Sequence, residues 1–388
     1  MINLKLGEAE QLLCVVVSDA PLERKGQAVL RLQELIGDQP LYELAVENEV
    51  TPHVAHVLAQ LLEPGSVRPH WSETHRATHD RISGLMRELD RVGTALAKEG
   101  IPMVALKNAG IARGIFDCPG CCPMGDLDVL VSKRDFRKAH RILLSLGYHF
   151  EFRSELEEAE LEAAEKGGGA EYWTVLPNGE KLWFELQWRP VAGRWIREDQ
   201  EPSGDDLLDR SATVEHSSVR LLSPEDNLLQ VALHTAKHSY VRAPGFRLHT
   251  DVDRIVSRVQ LDWDLFVSRV SALEVKTAVY FSLAIPASYM GTHIPEGVLH
   301  QLRPPRWKAG LLTSFIRRAG LLNPTGRKFG KVSYILFNAL LYDDMTGLWK
   351  ALCPDRKWMM KRYGFKSPLL LPIYHMRRWA NLLVKRTI

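Results

Sequence analysis

The chain has no long apolar run. Nothing in its 388 residues approaches the ~18 consecutive apolar positions that a membrane-spanning helix needs. The longest candidate, near Leu369 to Tyr374, is short and holds Pro372, so integral membrane association is not expected. The opening stretch, MINLKLGEAEQLLCVVV, lacks a basic segment followed by a clean apolar one, and reads as no signal peptide. Cysteine is scarce: the five residues are an odd number without disulfide-framework spacing, which suits a reducing, cytoplasmic setting. Neither charge sign is in excess. The 50 basic and 47 acidic residues leave +3, so whole-chain electrostatics give no reason to expect nucleic acid, though a local patch could still bind it. Internal repeats are absent as well.

What remains is an ordinary globular composition, 45% apolar and 25% charged, long enough for two domains or more. Residues 1–100 read as a helical region. Its clearest helix runs from about Ser72 to Glu99, with Ile82, Leu85, Leu89, Val92 and Leu96 on one face. The texture changes at Ile101 to Leu106, a run of strand length, followed by Lys107-Asn108 and a short helix to Phe116. A loop from Asp117 to Gly125, with two prolines and two glycines, leads into Asp126-Leu127-Asp128-Val129-Leu130-Val131. Alternation puts both aspartates on one face and Leu127, Val129 and Val131 on the other. Ser132 is placed to cap a helix from Lys133 to Leu146, closed by Gly147, and Tyr148 to Arg153 reads as a strand. Ser154 to Lys166, ending in three glycines, reads as an exposed, mobile insertion.

Glu171 to Leu176 and Glu180 to Trp188 flank Pro177-Asn178-Gly179, a hairpin signal. On the second strand Leu182, Phe184, Leu186 and Trp188 share a face, while Trp183, Glu185 and Gln187 share the other. From Ser223-Pro224 the pattern is helical again, with proline at the first helical position. The expected architecture is therefore α+β. A small mixed sheet within residues 101–220 carries the site, between a helical region 1–100 and a C-terminal helical domain 221–388.

Asp126 and Asp128 at one strand end make a hard-oxygen pair suited to Mg²⁺ or Mn²⁺. Read alone, Asp126 caps a turn and Asp128 faces solvent. Glu185 on the polar face of the hairpin strand gives the pair a third carboxylate, and three such groups can hold two ions. These residues resemble the uncharacterised nucleotidyltransferase family, a branch of the polymerase-β-like superfamily. The resemblance rests on Leu106-Lys107-Asn108, on Met124-Gly125-Asp126-Leu127-Asp128-Val129-Leu130-Val131, and on Phe184-Glu185-Leu186-Gln187-Trp188. It continues through Leu222 to Leu228, His234, Lys237-His238 and Asp262-Trp263. It implies that Asp126 and Asp128 bind both metals, that Glu185 completes the second site, and that Lys107 meets a phosphate. Asn108 and Gly125 would lie along the substrate, with His234, Lys237 and His238 reaching it from the helical domain. The implied reaction is attack by a hydroxyl or amine on the α-phosphate of a nucleoside triphosphate, releasing pyrophosphate. The acceptor stays open among a small molecule, a peptide or protein, and RNA.

Two departures from the family pattern matter, and Gln187 also stands where histidine is common. Asn108 replaces a glycine, and Cys122 replaces an arginine that could clamp a triphosphate. They motivate an alternative, a catalytically weakened nucleotide-binding accessory protein of the same fold. A second alternative, a D-x-D glycosyltransferase, would need a nucleotide-binding α/β domain upstream. Cys118, Cys121 and Cys122 form a C-x-x-C-C cluster without a second pair or a His pair at zinc-finger spacing, so structural zinc is not expected. The basic stretch from Lys357, carrying Lys361, Arg362, Lys366, Arg377, Arg378, Lys385 and Arg386, interleaves Trp358, Tyr363, Tyr374 and Trp379. It reads as a solvated face that leaves room for RNA or an anionic membrane surface.

Overall fold

The strand alternation around the two aspartates governs how the sheet is assembled. A computed structural model describes residues 2–63, 65–116, 118–153, 160–191, 196–242 and 245–384. Asp117, part of the expected insertion (154–159), and the basic residues Lys385 and Arg386 lie outside that description. Among the described residues, no helix is long and apolar enough to cross a membrane.

The architecture is α+β. Among the described residues seven strands form one mixed sheet: β1 (Met103–Ala105), β2 (Asp126–Leu130), β3 (His149–Phe150), β4 (Gly169–Val175), β5 (Lys181–Gln187), β6 (Ala212–Thr213) and β7 (Val219–Leu221). Their order is β3-β4-β5-β2-β1-β7-β6. β4 and β5 form the expected hairpin, and Gly179 takes the positive φ (+86°) that its turn requires. The register that decides the site is the parallel pairing of β2 with β5, with Asp126 opposite Trp183 and Asp128 opposite Glu185.

One face of this sheet is apolar. Leu127, Val129, Leu182, Phe184 and Leu186 are fully buried there, in a core continuous with Leu89 and Leu96 of the long helix Pro69–Lys98. That core also takes in Leu229 and Leu233 of the helix Pro224–His238. On the other face a small cluster of Val104, Leu106, Leu130, Leu207, Leu208 and Leu222 seals the end of β2 beyond the acids.

One local expectation fails. Ser132 does not cap a helix: its hydroxyl donates to Asp205 Oδ1 at 2.7 Å, and a 3₁₀ turn, Lys133–Asp135, precedes the helix Phe136–Ser145. The described part of the glutamate-rich insertion contains a helix, Leu161–Gly167, pinned by Glu165 accepting from Arg137 at 2.7 Å. By contrast, Ser223 caps its helix as expected, accepting from the Asp226 amide with Pro224 at the first position. In the C-terminal stretch, Arg378 stacks on Trp358 at 4.8 Å and donates to Ala351 O, while Trp379 donates to Leu352 O. Those groups serve packing between the last helices.

Candidate active site

In the strand pair β2–β5, residues opposite one another share a face, so the register places Asp126, Asp128 and Glu185 together. Asp128 is buried, at 4% exposure, whereas Asp126 and Glu185 keep partial access to solvent. The hairpin adds a fourth acid, Glu171, directly opposite Glu185 across β4–β5. Like charges so placed destabilise a sheet unless something neutralises them.

Two cations and one amide do so. Lys107 donates to Asp128 and lies 3.8 Å from Glu185 Oε2. Arg153 donates to Glu185, meets Asp126 Oδ2 at 2.8 Å and reaches Glu171 Oε1 at 3.3 Å. Gln187 Nε2 donates to Asp128 Oδ1 at 2.7 Å and to Glu185 Oε2 at 2.8 Å. Burial, with the Glu185 and Asp126 charges, pushes Asp128 well above the ordinary carboxyl range, against the pull of Lys107. Glu185 goes the other way. Its burial would raise it, but Lys107, the hydrogen bond with Asp128 and the Arg153 charge together hold it down to about 2.

Lys107 opens the helix Lys107–Gly114 in a left-handed conformation, φ +50°, which costs an L-residue ~1–2 kcal/mol. The site fixes this backbone, since from there the ammonium reaches the acids. Lys107 thus meets the carboxylates of Asp128 and Glu185. Asn108 turns away from the acids, and its amide donates to Pro123 O at 3.1 Å, tying the helix to the loop before β2. Gly125 is exposed, and a Cβ there would meet open space.

Cys122 belongs to the main apolar core. It is 1% exposed, with Sγ 3.7 Å from Arg254 Nη1 in the core. From the helix Pro224–His238, His234 and His238 contact each other edge to face, ring centres 4.7 Å apart. Burial and the Lys107 charge push His234 well below its ordinary value, so its ring is neutral. Lys237 is brought down to about 8 by burial and by Lys107, against the pull of Glu185 and Asp128.

A family model described as uncharacterised nucleotidyltransferase matches residues 36–291, two thirds of the chain. The chain belongs to that family. No match to a curated protein accompanies it. The matched span holds the whole sheet, all four acids, both site cations and the helix that carries Lys237.

Within this nucleotidyltransferase framework, Arg153 and Glu171 are site residues that the sequence reading missed. Glu171 had a signal. The Pro177-Asn178-Gly179 turn pairs Leu176 with Glu180, and counting back along that register reaches Glu171 opposite Glu185. Arg153 had none: it follows a two-residue strand, with no periodicity to aim it.

Proposed function

We propose that the chain transfers a nucleoside monophosphate from a nucleoside triphosphate to a hydroxyl or amine acceptor, releasing pyrophosphate. Asp126, Asp128 and Glu185 hold Mg²⁺ or Mn²⁺ in this reading. The observation that carries it is the β2–β5 register, which gathers the three carboxylates on one face around a buried Asp128. Their donors are all oxygen, the chemistry hard divalent ions prefer, and the concentration of negative charge calls for a cation. An ion held there would supply Lewis acidity, polarising the α-phosphoryl group and lowering the pKa of the attacking hydroxyl.

The chain's own groups do the rest. Gln187 fixes the orientation of Asp128 and Glu185 through its two short hydrogen bonds. Lys107 and Lys237 supply positive charge beside the acids, where a polyphosphate needs it. His234, kept neutral, offers a nitrogen as acceptor or donor without adding charge.

Asn108 and Cys122 no longer argue for weakened activity, because one side chain latches a loop and the other lies in the core. A different observation keeps the accessory-protein reading as the second choice: Lys107 and Arg153 already pair with the acids, on oxygens an ion would use. The glycosyltransferase alternative has lost its ground, since the described elements before β1 are all helices.

The test is incubation of the protein with each nucleoside triphosphate and Mg²⁺ or Mn²⁺, reading pyrophosphate release, self-labelling by mass and thermal unfolding. Saturating triphosphate at 100 times its Kd stabilises the native state by ~2.7 kcal/mol, and the resulting rise in Tm should vanish in Asp126→Asn/Asp128→Asn. Binding without pyrophosphate release selects the accessory protein. A thermal shift that survives the double substitution puts the nucleotide elsewhere.

A further inference from the structure

Ahead of Asp126, the loop carries a 3₁₀ turn, Pro119–Cys121, that packs against two helices of the N-terminal region. Four metal-binding side chains meet there. His56 comes from the helix Thr51–Leu61, His75 from the helix Pro69–Lys98, and Cys118 and Cys121 from the turn. One ligand atom from each lies within 4.8 Å of all the others. We propose that these four residues bind a structural Zn²⁺ that fastens the loop leading to the acids onto the N-terminal helices.

The distances suit that ion. A tetrahedron with Zn–S ~2.3 Å and Zn–N ~2.0 Å sets its ligand atoms ~3.3–3.8 Å apart. His75 Nε2 lies 3.3 Å from Cys118 Sγ and 4.0 Å from Cys121 Sγ, values that bracket the requirement. The two imidazoles stack, ring centres 5.5 Å apart and planes 22° from parallel. One nitrogen of His56 meets the Gln60 amide at 3.1 Å, and an imidazole has a second to offer. The turn is shaped for this approach, because a Cβ on Gly120 would come within 2.7 Å of His75 Nε2. Glycine is needed here to let the ring reach between the two sulfurs.

Two thiolates and two imidazoles prefer a borderline-soft ion, whereas Asp126, Asp128 and Glu185 offer only oxygen. The two sites therefore select different metals. Four protein ligands also close the coordination shell, which fits a structural role. The expectation of no zinc rested on the missing His pair at finger spacing. The fold supplies that pair from two helices, 19 residues apart in sequence.

The experiment is elemental analysis of the purified full-length chain, with Co²⁺ reconstitution after chelation. A single zinc per chain is expected, with cobalt giving the visible bands of a tetrahedral site and thiolate charge transfer in the near ultraviolet. Cys118→Ser/Cys121→Ser and His75→Gln should lose the metal and melt several degrees lower. Cys122→Ser and Asp126→Asn/Asp128→Asn should keep it, which separates this site from the carboxylates. Three results overturn the proposal: a wild-type chain that neither carries zinc nor gives the cobalt spectrum, full zinc retained by the double serine variant, or a Cys118–Cys121 disulfide in the native chain. The first and third use the unmodified protein, so a variant that fails to fold leaves the test intact.

Discussion

Asp128 and Glu185 stand directly opposite each other on the parallel strands β2 and β5, and a single nitrogen, Gln187 Nε2, donates to both. Holding two carboxylates this way costs stability wherever both are ionised, and Lys107 and Arg153 offset that cost from either side. The arrangement leads directly to expectations for substitutions at and around the site.

Glu185→Gln removes one charge but keeps the shape and hydrogen-bonding length of the side chain. The fold and much of the triphosphate binding should survive. Turnover should fall by about 10²-fold or more, equivalent to ~3 kcal/mol of lost transition-state stabilisation. Pyrophosphate release under saturating triphosphate measures this, with thermal unfolding as the control. Unaltered turnover would remove Glu185 from the metal site.

The acids were legible in the sequence because alternation alone sorts Asp126 and Asp128 from Leu127 and Val129. The turn at Pro177-Asn178-Gly179 likewise fixed the hairpin carrying Glu185. That β5 would lie beside β2 came from the family resemblance, since parallel pairing leaves no local trace in either strand. β6 and β7, two and three residues long, are too short for any period to register. Ser132 misled because a hydroxyl before a helix has more than one partner to choose from, and Asp205 sits 73 residues away. Arg153, His56 and His75 escaped notice for one reason: their meaning lies in tertiary contacts between segments distant in sequence.

Lys237 makes the site sensitive to pH. Below about pH 8 its ammonium is charged in the folded and the unfolded chain alike, and burial beside Lys107 makes that charge unfavourable when folded. From about 8 up to the ordinary 10.5, the folded chain releases this proton while the unfolded chain retains it, so the penalty is relieved as pH rises. Lys237→Met should therefore stabilise the ligand-free protein at pH 7 by on the order of 1 kcal/mol, with the gain fading toward pH 10.5. Triphosphate affinity should respond oppositely, falling in Lys237→Met and, in the wild type, falling as pH passes 8. Denaturant unfolding and calorimetry at the two ends of this range check both signs.

Cys122→Arg tests where that position points. Were the residue on the phosphate side of the loop, an arginine would tighten triphosphate binding. The sulfur instead lies in the core beside Arg254, with Arg247 holding the next carbonyl, Pro123 O, at 2.7 Å. A third guanidinium there would be buried beside Arg254 and Arg247 with the buried carboxylate of Asp251 already facing both of them, at a cost of about 3 kcal/mol. A marked fall in Tm and no gain in affinity are expected. Tighter binding at an unchanged Tm would contradict this placement.

Arg153 separates the structural needs of the acids from their chemical use. Its guanidinium spans Asp126, Glu185 and Glu171, and so occupies the oxygens that a divalent ion needs on two of the three ligands. Any ion entering the site competes with it. In Arg153→Ala the acids lose that cation and repel one another, so the metal-free protein should melt lower. The side chain is about a third exposed, so the loss should stay near ~1 kcal/mol. The same repulsion makes the acids a stronger ligand, and Mn²⁺ alone should bind about tenfold more tightly, a change of ~1.4 kcal/mol. With triphosphate present the direction reverses if Arg153, once displaced, turns to the phosphates, because the variant then lacks a charge-assisted partner for them. Calorimetric titration of Mn²⁺, with and without a non-hydrolysable triphosphate, reads both effects on one protein. Mn²⁺ affinity that stays constant in Arg153→Ala would mean that the ion and the guanidinium do not share oxygens, and the assignment of Asp126 and Glu185 as joint metal ligands would fall with it.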